Sequence, residues 1–181
     1  MAWTTPITFT AASQLTAAQL NTYVRDNTNY LFSPPACSIQ KAADFSITSS
    51  ATPVVVSFQP AGGPDYDTNP TMHSNTTNPT RITMNTGGVY SVKAGIKWQT
   101  ASGGARYLLI RRNGGTADIC NDSRLPLASD NSWQNVSRDH LVNAGDYVEM
   151  YVAQTSGSGL NILGSVPGGC WMTVAWVGKG T

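Results

Sequence analysis

Charged side chains are scarce in this 181-residue chain, where they make up 12% of the residues. An ordinary soluble domain has about a quarter. There is a single glutamate, Glu149, and there are four lysines, although long surface helices draw heavily on both residue types. The chain is rich instead in Thr, Ser, Asn and Gly, which favour strands, turns and helix caps. We therefore do not expect a mainly helical protein.

The charge that is present has no dominant sign. Eleven Lys and Arg residues are offset by ten Asp and Glu residues, which leaves a formal net charge of +1. Binding nucleic acid through a basic face needs positive charge concentrated on one surface. The sequence also lacks an apolar run of ~20 residues that could cross a membrane. We expect neither a nucleic-acid partner nor membrane insertion.

Paired cysteines are also missing. Cys37, Cys120 and Cys170 are odd in number and far apart, unlike the cysteines of a secreted disulfide scaffold or a zinc site. The first residues show no basic region followed by an apolar run, so we expect no signal peptide. This pattern favours folding in a reducing cytoplasm. A chain of this length buries roughly 70% of its unfolded surface and needs no metal to fold.

The chain divides at Pro34 and Pro35, and the one convincing helix lies before them. Thr16 and Gln19 form the T-x-x-Q pattern of a capping box. Apolar residues then recur at alternating steps of three and four, with one asparagine among them, which is the a/d spacing of two heptads. The positions of this predicted seam are Ala17, Leu20, Val24, Asn27 and Leu31.

This helix has two interpretations, and the pattern alone leaves both open. It could be an amphipathic helix that lies on its own domain. It could instead form a short coiled coil between identical chains, in which Asn27 fixes the register and the number of partners. Two heptads are too short to be stable alone, so both interpretations need a neighbouring body.

Residues 3–10 precede the helix as a stretch that contains proline and has no helix cap. We interpret them as an extended arm whose anchoring side chains are Trp3, Pro6, Ile7 and Phe9. So short a segment cannot bury these groups by itself. We therefore expect the arm to be disordered in the isolated protein and ordered only against a partner.

After the two prolines the apolar pattern changes to a period of two. Residues 90–98 are the clearest case, with every second residue apolar. Short strands separated by glycine-rich turns indicate a β-sandwich or jelly roll. Residues 61–80, rich in Asn, Thr, Asp and Pro, are predicted to form a long surface loop. The predicted strands are 37–40, 45–48, 54–58, 81–85, 90–98, 106–112, 117–121, 133–141, 147–154, 160–163 and 170–177.

Several stretches of this body resemble the C1q/TNF-like jelly-roll domain. They include a Gly-x-Tyr strand, an Asn-Gly hairpin and a Gly-Asp-x-Val strand, in the order found in that family. The matching stretches are 78–83, 88–92, 109–114, 141–149 and the closing strand 171–177. The resemblance covers about residues 36–178 and implies a homotrimer of two-sheet jelly rolls around a threefold axis. Animal members often bind calcium near that axis, but no matching acidic motif occurs here, so no metal is carried over.

The front end resembles the opening of small virion proteins of tailed bacteriophages, of the kind labelled minor tail or fibre proteins. The matching residues are 3–6, 15–21, 25–27, 31 and 34–35. Together the two resemblances imply a phage structural protein that carries a trimeric C1q-like head.

The two histidines do not indicate a catalytic site. Ser137, Asp139 and His140 are close in sequence, but neighbouring residues on a strand point to opposite faces, so Asp139 and His140 cannot act together in a triad. His73 lies in the predicted loop and is expected to face water.

The acidic residues do not indicate a site either. Glu149 has no acidic partner in its motif, so the pair that a glycosidase needs is missing. Residues 65–76 imitate a calcium loop, but Pro70 and Thr76 stand where that loop needs a glycine and a bidentate glutamate.

The tryptophans fall into two groups. Trp98 and Trp176 alternate with apolar neighbours and are predicted to lie in the core. Trp133 and Trp171 are candidates for a subunit interface or a ligand surface. Cys170, next to Trp171, is predicted to fill core or interface volume as a thiol.

We therefore expect an all-β protein in which residues 1–35 form the arm and helix and residues 36–181 form the jelly roll. The expected function is structural and non-enzymatic, without a cofactor. The protein would be a homotrimeric, tail-associated fibre or tip protein of a phage virion, assembled in the host bacterial cytoplasm and docked to other virion proteins through residues 1–33. Two alternatives are a capsid decoration or head-fibre trimer, and a module that binds host-surface carbohydrate or a receptor.

Overall fold

An interrupted helix precedes twelve strands in the computed structural model, which describes residues 4–58, 65–69, 71–127 and 129–180. The helical segments are Ala17–Leu20 (α1), the π-helical Asn21–Asp26, and Asn27–Phe32 (α2). The strands are Ala36–Gln40 (β1), Phe45–Ile47 (β2), Ser50–Val55 (β3), Tyr66–Asp67 (β4), Arg81–Thr83 (β5), Gly88–Trp98 (β6), Arg106–Arg112 (β7), Asp118–Arg124 (β8), Ser132–Val142 (β9), Tyr147–Gln154 (β10), Leu160–Ile162 (β11) and Cys170–Gly178 (β12).

The strands form two antiparallel sheets. In the first, the order is β2-β11-β6-β12-β1-β4, and β9 pairs with the other edge of β6. In the second, the order is β3-β10-β7-β8, and β5 pairs with the first residues of β10. The all-β sandwich predicted from the sequence is confirmed.

The core lies between the sheets and comes from the body of the chain. The inward row of β6 consists of Tyr90, Val92, Ala94, Ile96 and Trp98, all 0% exposed, as their alternation predicts. The second sheet faces them with apolar rows from β7 and β10. Burying a side chain of this size contributes ~1.5–3 kcal/mol. Residues 36–178 therefore supply their own core.

A buried polar group ties the two sheets together at β9. The side chain of Gln134 is fully buried, and its Nε2 donates hydrogen bonds to the carbonyl oxygens of Arg106 on β7 and Asp122 on β8, each at 3.1 Å. Its Oε1 accepts a hydrogen bond of 2.7 Å from Trp98 Nε1. Because buried amides are costly when unpaired, this set of bonds fixes how the sheets lie at this edge.

The predicted loop 61–80 is more structured than expected. Tyr66–Asp67 forms β4 beside β1, and Met72 is buried in the core. The prediction that His73 faces water is wrong, because its ring is buried and Nδ1 lies 2.9 Å from the carbonyl oxygen of Arg81. Residues 61–64 and 70 of this loop lie outside the described residues.

Strand β3 also differs from its prediction, since it covers Ser50–Val55 rather than 54–58. The chain beyond it continues without a regular ladder. Val56 N donates to Met150 O at 2.9 Å, and Phe58 N donates to Pro79 O at 2.7 Å. Both side chains are fully buried, so the apolar pattern identified core residues correctly but not the strand boundary.

The helix begins as predicted. The Thr16 hydroxyl accepts a hydrogen bond from Gln19 N, and Gln19 Oε1 accepts one from Thr16 N, which confirms the capping box. Its middle part, Asn21–Asp26, is π-helical, so hydrogen bonds there span five residues instead of four. These wider turns rotate the second half of the helix relative to the first. The prediction of one regular α-helix is therefore wrong.

The interruption divides the predicted seam into two faces. Leu20, Val24 and Leu31 are 43%, 48% and 59% exposed, and Ala17 is exposed as well, whereas Asn27 is only 5% exposed. Asn27 therefore packs against its own chain and does not share the exposed row, which corrects its predicted place in the seam.

Asn27 holds the arm instead. Its Oδ1 accepts a hydrogen bond of 3.0 Å from Thr4 N, and its Nδ2 donates one of 2.7 Å to Thr4 O. The side-chain amide thus pairs with the backbone much as a neighbouring strand would. On the next residue, Lys179 Nζ donates to Thr5 Oγ1 at 3.2 Å. At Thr4 and Thr5 the arm therefore contacts its own chain. The sequence had led us to expect an arm that becomes ordered only against a partner.

The second half of the helix also contacts the jelly roll. Tyr30 is buried, and its ring meets Trp176 edge-on with a distance of 5.1 Å between centroids. Pro35 is buried beside them, and its carbonyl oxygen accepts a hydrogen bond from Trp176 N. One face of the helix therefore lies on its own domain, and the row of Leu20, Val24 and Leu31 points away from it.

Replacing Tyr30 tests this packing. Tyr30→Ala should lower the free energy of unfolding by ~3–5 kcal/mol, because it leaves a cavity beside Trp176. Phe32→Ala is the matched control, since Phe32 is 82% exposed, and it should change the free energy by less than ~0.5 kcal/mol. Denaturant unfolding followed by tryptophan fluorescence measures both. Equal effects of the two substitutions would show that Tyr30 is not packed on the body.

Candidate functional site

Trp133 and Trp171, the two candidate surface tryptophans, lie on the same outer face of the first sheet. They belong to β9 and β12, the strands that flank β6. Trp133 pairs with Lys97 and Trp171 pairs with Gly95. Because Lys97 and Gly95 are two residues apart on β6, both pairs share one face. Trp133 is 43% exposed and Trp171 is half-buried.

The absence of a side chain at Gly95 gives Trp171 its position. A Cβ atom at this residue would lie 2.6 Å from Cε2 of Trp171 and 2.5 Å from Oδ1 of Asn135. The indole therefore lies directly over the backbone of β6. A larger residue at position 95 would displace it.

Lys97 adds a positive charge to this face. Its Nζ lies 4.6 Å from the centroid of the Trp133 ring, which is cation–π geometry. Two indoles, an ammonium group and the amide of Asn135 therefore form one surface, defined here as the tryptophan face. Such a surface can pack against another subunit or against a sugar ring, and it contains no nucleophile or acid–base pair.

The exposed row of the helix is a second candidate surface. Leu20, Val24 and Leu31 line it, and the arm adds Phe9, which is 48% exposed. Of the other predicted anchoring residues, Pro6 is exposed, Ile7 is half-buried, and Trp3 lies outside the described residues. The exposed apolar side chains of residues 4–32 are thus separate from the core of the jelly roll.

Sequence reasoning missed a row of alternating charges on the outer face of the second sheet. In register, Glu149 on β10 lies between Arg81 on β5 and Arg111 on β7, and Arg111 lies opposite Asp118 on β8. Arg111 Nε donates to Asp118 Oδ1 at 2.8 Å. These residues come from four strands, so only the register of the sheet brings them together.

The carboxylate of Glu149 is used within this row. It accepts hydrogen bonds from Thr80 Oγ1 at 2.6 Å and Tyr151 Oη at 3.0 Å, and the residue is only 8% exposed. Arg111 stacks on Tyr151 with 4.8 Å between the guanidinium carbon and the ring centroid. Burial, followed by the bond to Glu149, raises the pKa of Tyr151. We interpret the row as a structural network, since it presents no second carboxylate opposite Glu149.

His140 does not share a face of β9 with Asp139. Asp139 lies opposite Ser91, and His140 lies opposite the buried Tyr90, so the two point to opposite faces of β9 as predicted. Burial, and then the nearby charges of Arg112 and Arg138, lower the pKa of His140.

The aspartates of the loop that imitates a calcium site hold the loop itself. Asp67 Oδ2 accepts hydrogen bonds from the backbone nitrogens of Met72 and His73, at 3.0 and 3.4 Å. Asp65 Oδ1 accepts one of 2.7 Å from Gln40 Nε2. Among the described residues, no group of three or more His, Cys, Asp or Glu side chains is placed to hold a metal ion.

The buried cysteines are not placed for reactivity. Cys170 fills core volume as predicted, and burial raises its pKa to about 12. Cys37 is also buried, and its pKa is likewise raised to about 12, mainly by burial. A thiol with so high a pKa has almost no thiolate near neutral pH.

Within the described chain, no helix has the length and apolar character needed to span a membrane.

Many solved structures are similar to this chain, among them the following three. The structure of Eiger TNF from S. frugiperda has a TM-score of 0.57 and 13% identity, over 81% of this chain and 96% of that one. Murine APRIL has a TM-score of 0.57 and 9% identity, over 79% and 98%. The globular domain of zebrafish complement 1qA protein has a TM-score of 0.53 and 11% identity, over 80% and 98%. No protein-family model and no curated protein matches the sequence.

These similarities extend over nearly the whole length of the compared domains. At identities of 9–13% they concern the fold. The chain has the C1q/TNF-like jelly-roll fold, as the ordered motifs of the body predict.

Proposed function

We propose that this protein is a homotrimeric structural component of a bacteriophage virion, a tail-associated fibre or tip protein anchored by residues 1–33. The observation that carries the proposal is the division of the chain. Residues 36–178 bury their own core, whereas the arm and helix expose apolar side chains. The resemblance of the front end to phage minor tail and fibre proteins supports the viral setting.

The exposed row of the helix fits two further copies of the same chain. Leu20 and Val24 are four residues apart and both exposed, and Leu31 is exposed farther along the helix. The C1q/TNF-like fold implies a trimer, in which three such rows would meet near the axis. A row this short is too weak to assemble alone, so the jelly rolls must contribute contacts as well.

The arm fits a different partner. Pro6 and Phe9 are exposed, and hydrogen bonds at Thr4 and Thr5 tie the start of the arm to its own chain. An extended segment with exposed apolar side chains gains stability by lying in a groove of a larger assembly. Other virion proteins are the partners that the front-end resemblance favours.

Substitutions in the helix row test the trimer. The protein should have a mass of about 58 kDa in light scattering, three times the 19.2 kDa of the chain. Leu20→Ala with Val24→Ala should shift it toward monomer, since each removes ~2–5 kcal/mol where the side chain is fully packed. Val54→Ala is the control, because Val54 is exposed on the body. A stable monomer of the unaltered protein at micromolar concentration would contradict the proposal.

Removal of the anchor tests the attachment. A chain that begins at Ala36 should fold into a soluble, β-rich protein but should not join phage particles assembled in cells that supply only this shortened form. Circular dichroism measures the folding of the shortened chain. Electron microscopy of particles that carry the full-length protein shows where on the particle that protein lies. Density on the tail supports the tail proposal, and density on the capsid favours the decoration or head-fibre alternative. Incorporation of the shortened chain would place the attachment surface on the jelly roll instead.

A host-surface carbohydrate or receptor module is the second candidate, and the tryptophan face favours it. Indole rings beside a polar amide are the kind of surface on which sugar rings stack. If this face binds glycan, Trp133→Ala should remove most of the signal on a glycan array. Leu141→Ala is the control, because Leu141 is exposed on the same strand. If the unaltered protein gives no signal on the array, the result contradicts glycan binding and favours subunit packing as the role of the tryptophan face.

A further inference from the structure

A cavity of about 420 Å³ opens between the β7–β8 hairpin and strand β9. Pockets for small ligands measure about 300–1,000 Å³, so this one has room for a ligand of modest size. Its lining includes Arg112, Thr116, Asp118, Arg138 and His140. The tryptophan face and the helix row contribute none of these residues.

Arg138 and His140 occupy positions of β9 that face the inside of the sandwich. In the pairing with β6, Arg138 lies opposite Val92 and His140 lies opposite Tyr90, and both partners are fully buried. Side chains directly opposite each other on neighbouring strands point to the same side of the sheet. The strand alternation that places Val136 in the core therefore puts these two polar side chains on the same side of the sheet. At this end of β9, however, Arg138 is exposed and His140 is half-buried.

Arg112 faces the same space from the other sheet. It lies opposite Val148, which is fully buried, and it follows Leu108 and Ile110 along the inward row of β7. Cations at inward positions cost stability unless they are paired or solvated. Here Arg112 and Arg138 are exposed and His140 is half-buried, and the three side chains line the cavity.

The acidic residues near the cavity leave a surplus of positive charge. Asp118 is held by Arg111, with 2.8 Å between Oδ1 and Nε. Asp146 lies 3.7 Å from Arg112. Arg138 donates from Nη1 to the carbonyl oxygen of Ile119 at 2.8 Å, and among the described residues it is in no ion pair. With Asp118 held by Arg111 and Asp146 near Arg112, the guanidinium group of Arg138 has no carboxylate partner among the described residues.

The positive charges near the cavity also act on the pKa of His140. Burial is the main cause of its lowered pKa, and the positive charges of Arg112 and Arg138 lower the pKa further, against the opposing effect of Asp146. A nearby anion would act in the opposite sense, because it stabilises the imidazolium form.

We infer that this cavity binds a small ligand through an oxyanion, either a phosphate or a carboxylate, held by Arg138 and Arg112. The planar guanidinium group of Arg138 is fixed at one nitrogen by Ile119, and its other nitrogens can donate to an oxyanion. The hydroxyl of Thr116 and the ring of His140 supply further donors at the wall.

Histidine side-chain NMR provides a direct test, because the chain has only two histidines. Inorganic phosphate and glucuronate are the probes, and glucose is the uncharged control. A bound anion should shift the His140 signals saturably and raise the pKa of His140. His73 should not respond, since its ring is buried beside Arg81. A response to phosphate alone identifies a phosphate ligand, and a response to glucuronate alone identifies a sugar carboxylate.

Substitutions separate a built site from general charge attraction. Arg138→Gln should weaken binding about tenfold or more, since charge-assisted bonds are the strong ones. Arg138→Lys keeps the charge but loses the forked geometry, and it should weaken binding as well. Arg25→Gln is the control, because it removes the same charge from the exposed helix. Equal weakening by Arg25→Gln and Arg138→Gln, or no saturation with either anion below about 10 mM, would overturn the inference.

Discussion

The hydrogen bonds of Gln134 hold the two sheets together along one edge of the sandwich, and much of the structure follows from that junction. Strand β9 pairs with β6 in the first sheet, while the Gln134 amide bonds to the backbones of β7 and β8 in the second. Near Gln134 the sheets are close enough to bury Trp98 and Arg106 completely. Farther along β9, Arg138 and His140 line the cavity beside the β7–β8 hairpin. One strand therefore has a closed end and an open end.

The body of the chain supplies its own core, so the front of the chain is not needed to complete that core. Tyr30 packs edge-on against Trp176, while Leu20, Val24 and Leu31 on the same helix remain exposed. The two interpretations of the helix are thus compatible, because each uses a different face. A helix packed on its own domain by one side can present Leu20 and Val24 at a fixed angle to identical copies. That arrangement suits a short row, which could not orient itself.

Local patterns in the sequence predicted the structural features that depend on residues close together along the chain. Alternation placed Tyr90, Val92 and Ile96 in the core, and the Thr16–Gln19 pattern placed the start of the helix. Features that depend on distant partners were missed. The Glu149 row exists only through the register of four strands. Met72 and His73 are buried because a polar loop folds over the sandwich, and its composition carries no sign of this.

Asn27 shows how a residue can fit one pattern and serve another purpose. At an a/d position an asparagine would fix the register of a coiled coil, but here its amide pairs with both backbone groups of Thr4. The helix and the start of the arm are therefore joined before any partner arrives. Ordering a segment in advance lowers the entropy that docking must overcome. Beyond Thr5, Pro6 and Phe9 are exposed whereas Ile7 is half-buried. Under the proposed function these residues would be ordered by the partner, so the anchor would combine a fixed base with an adaptable end.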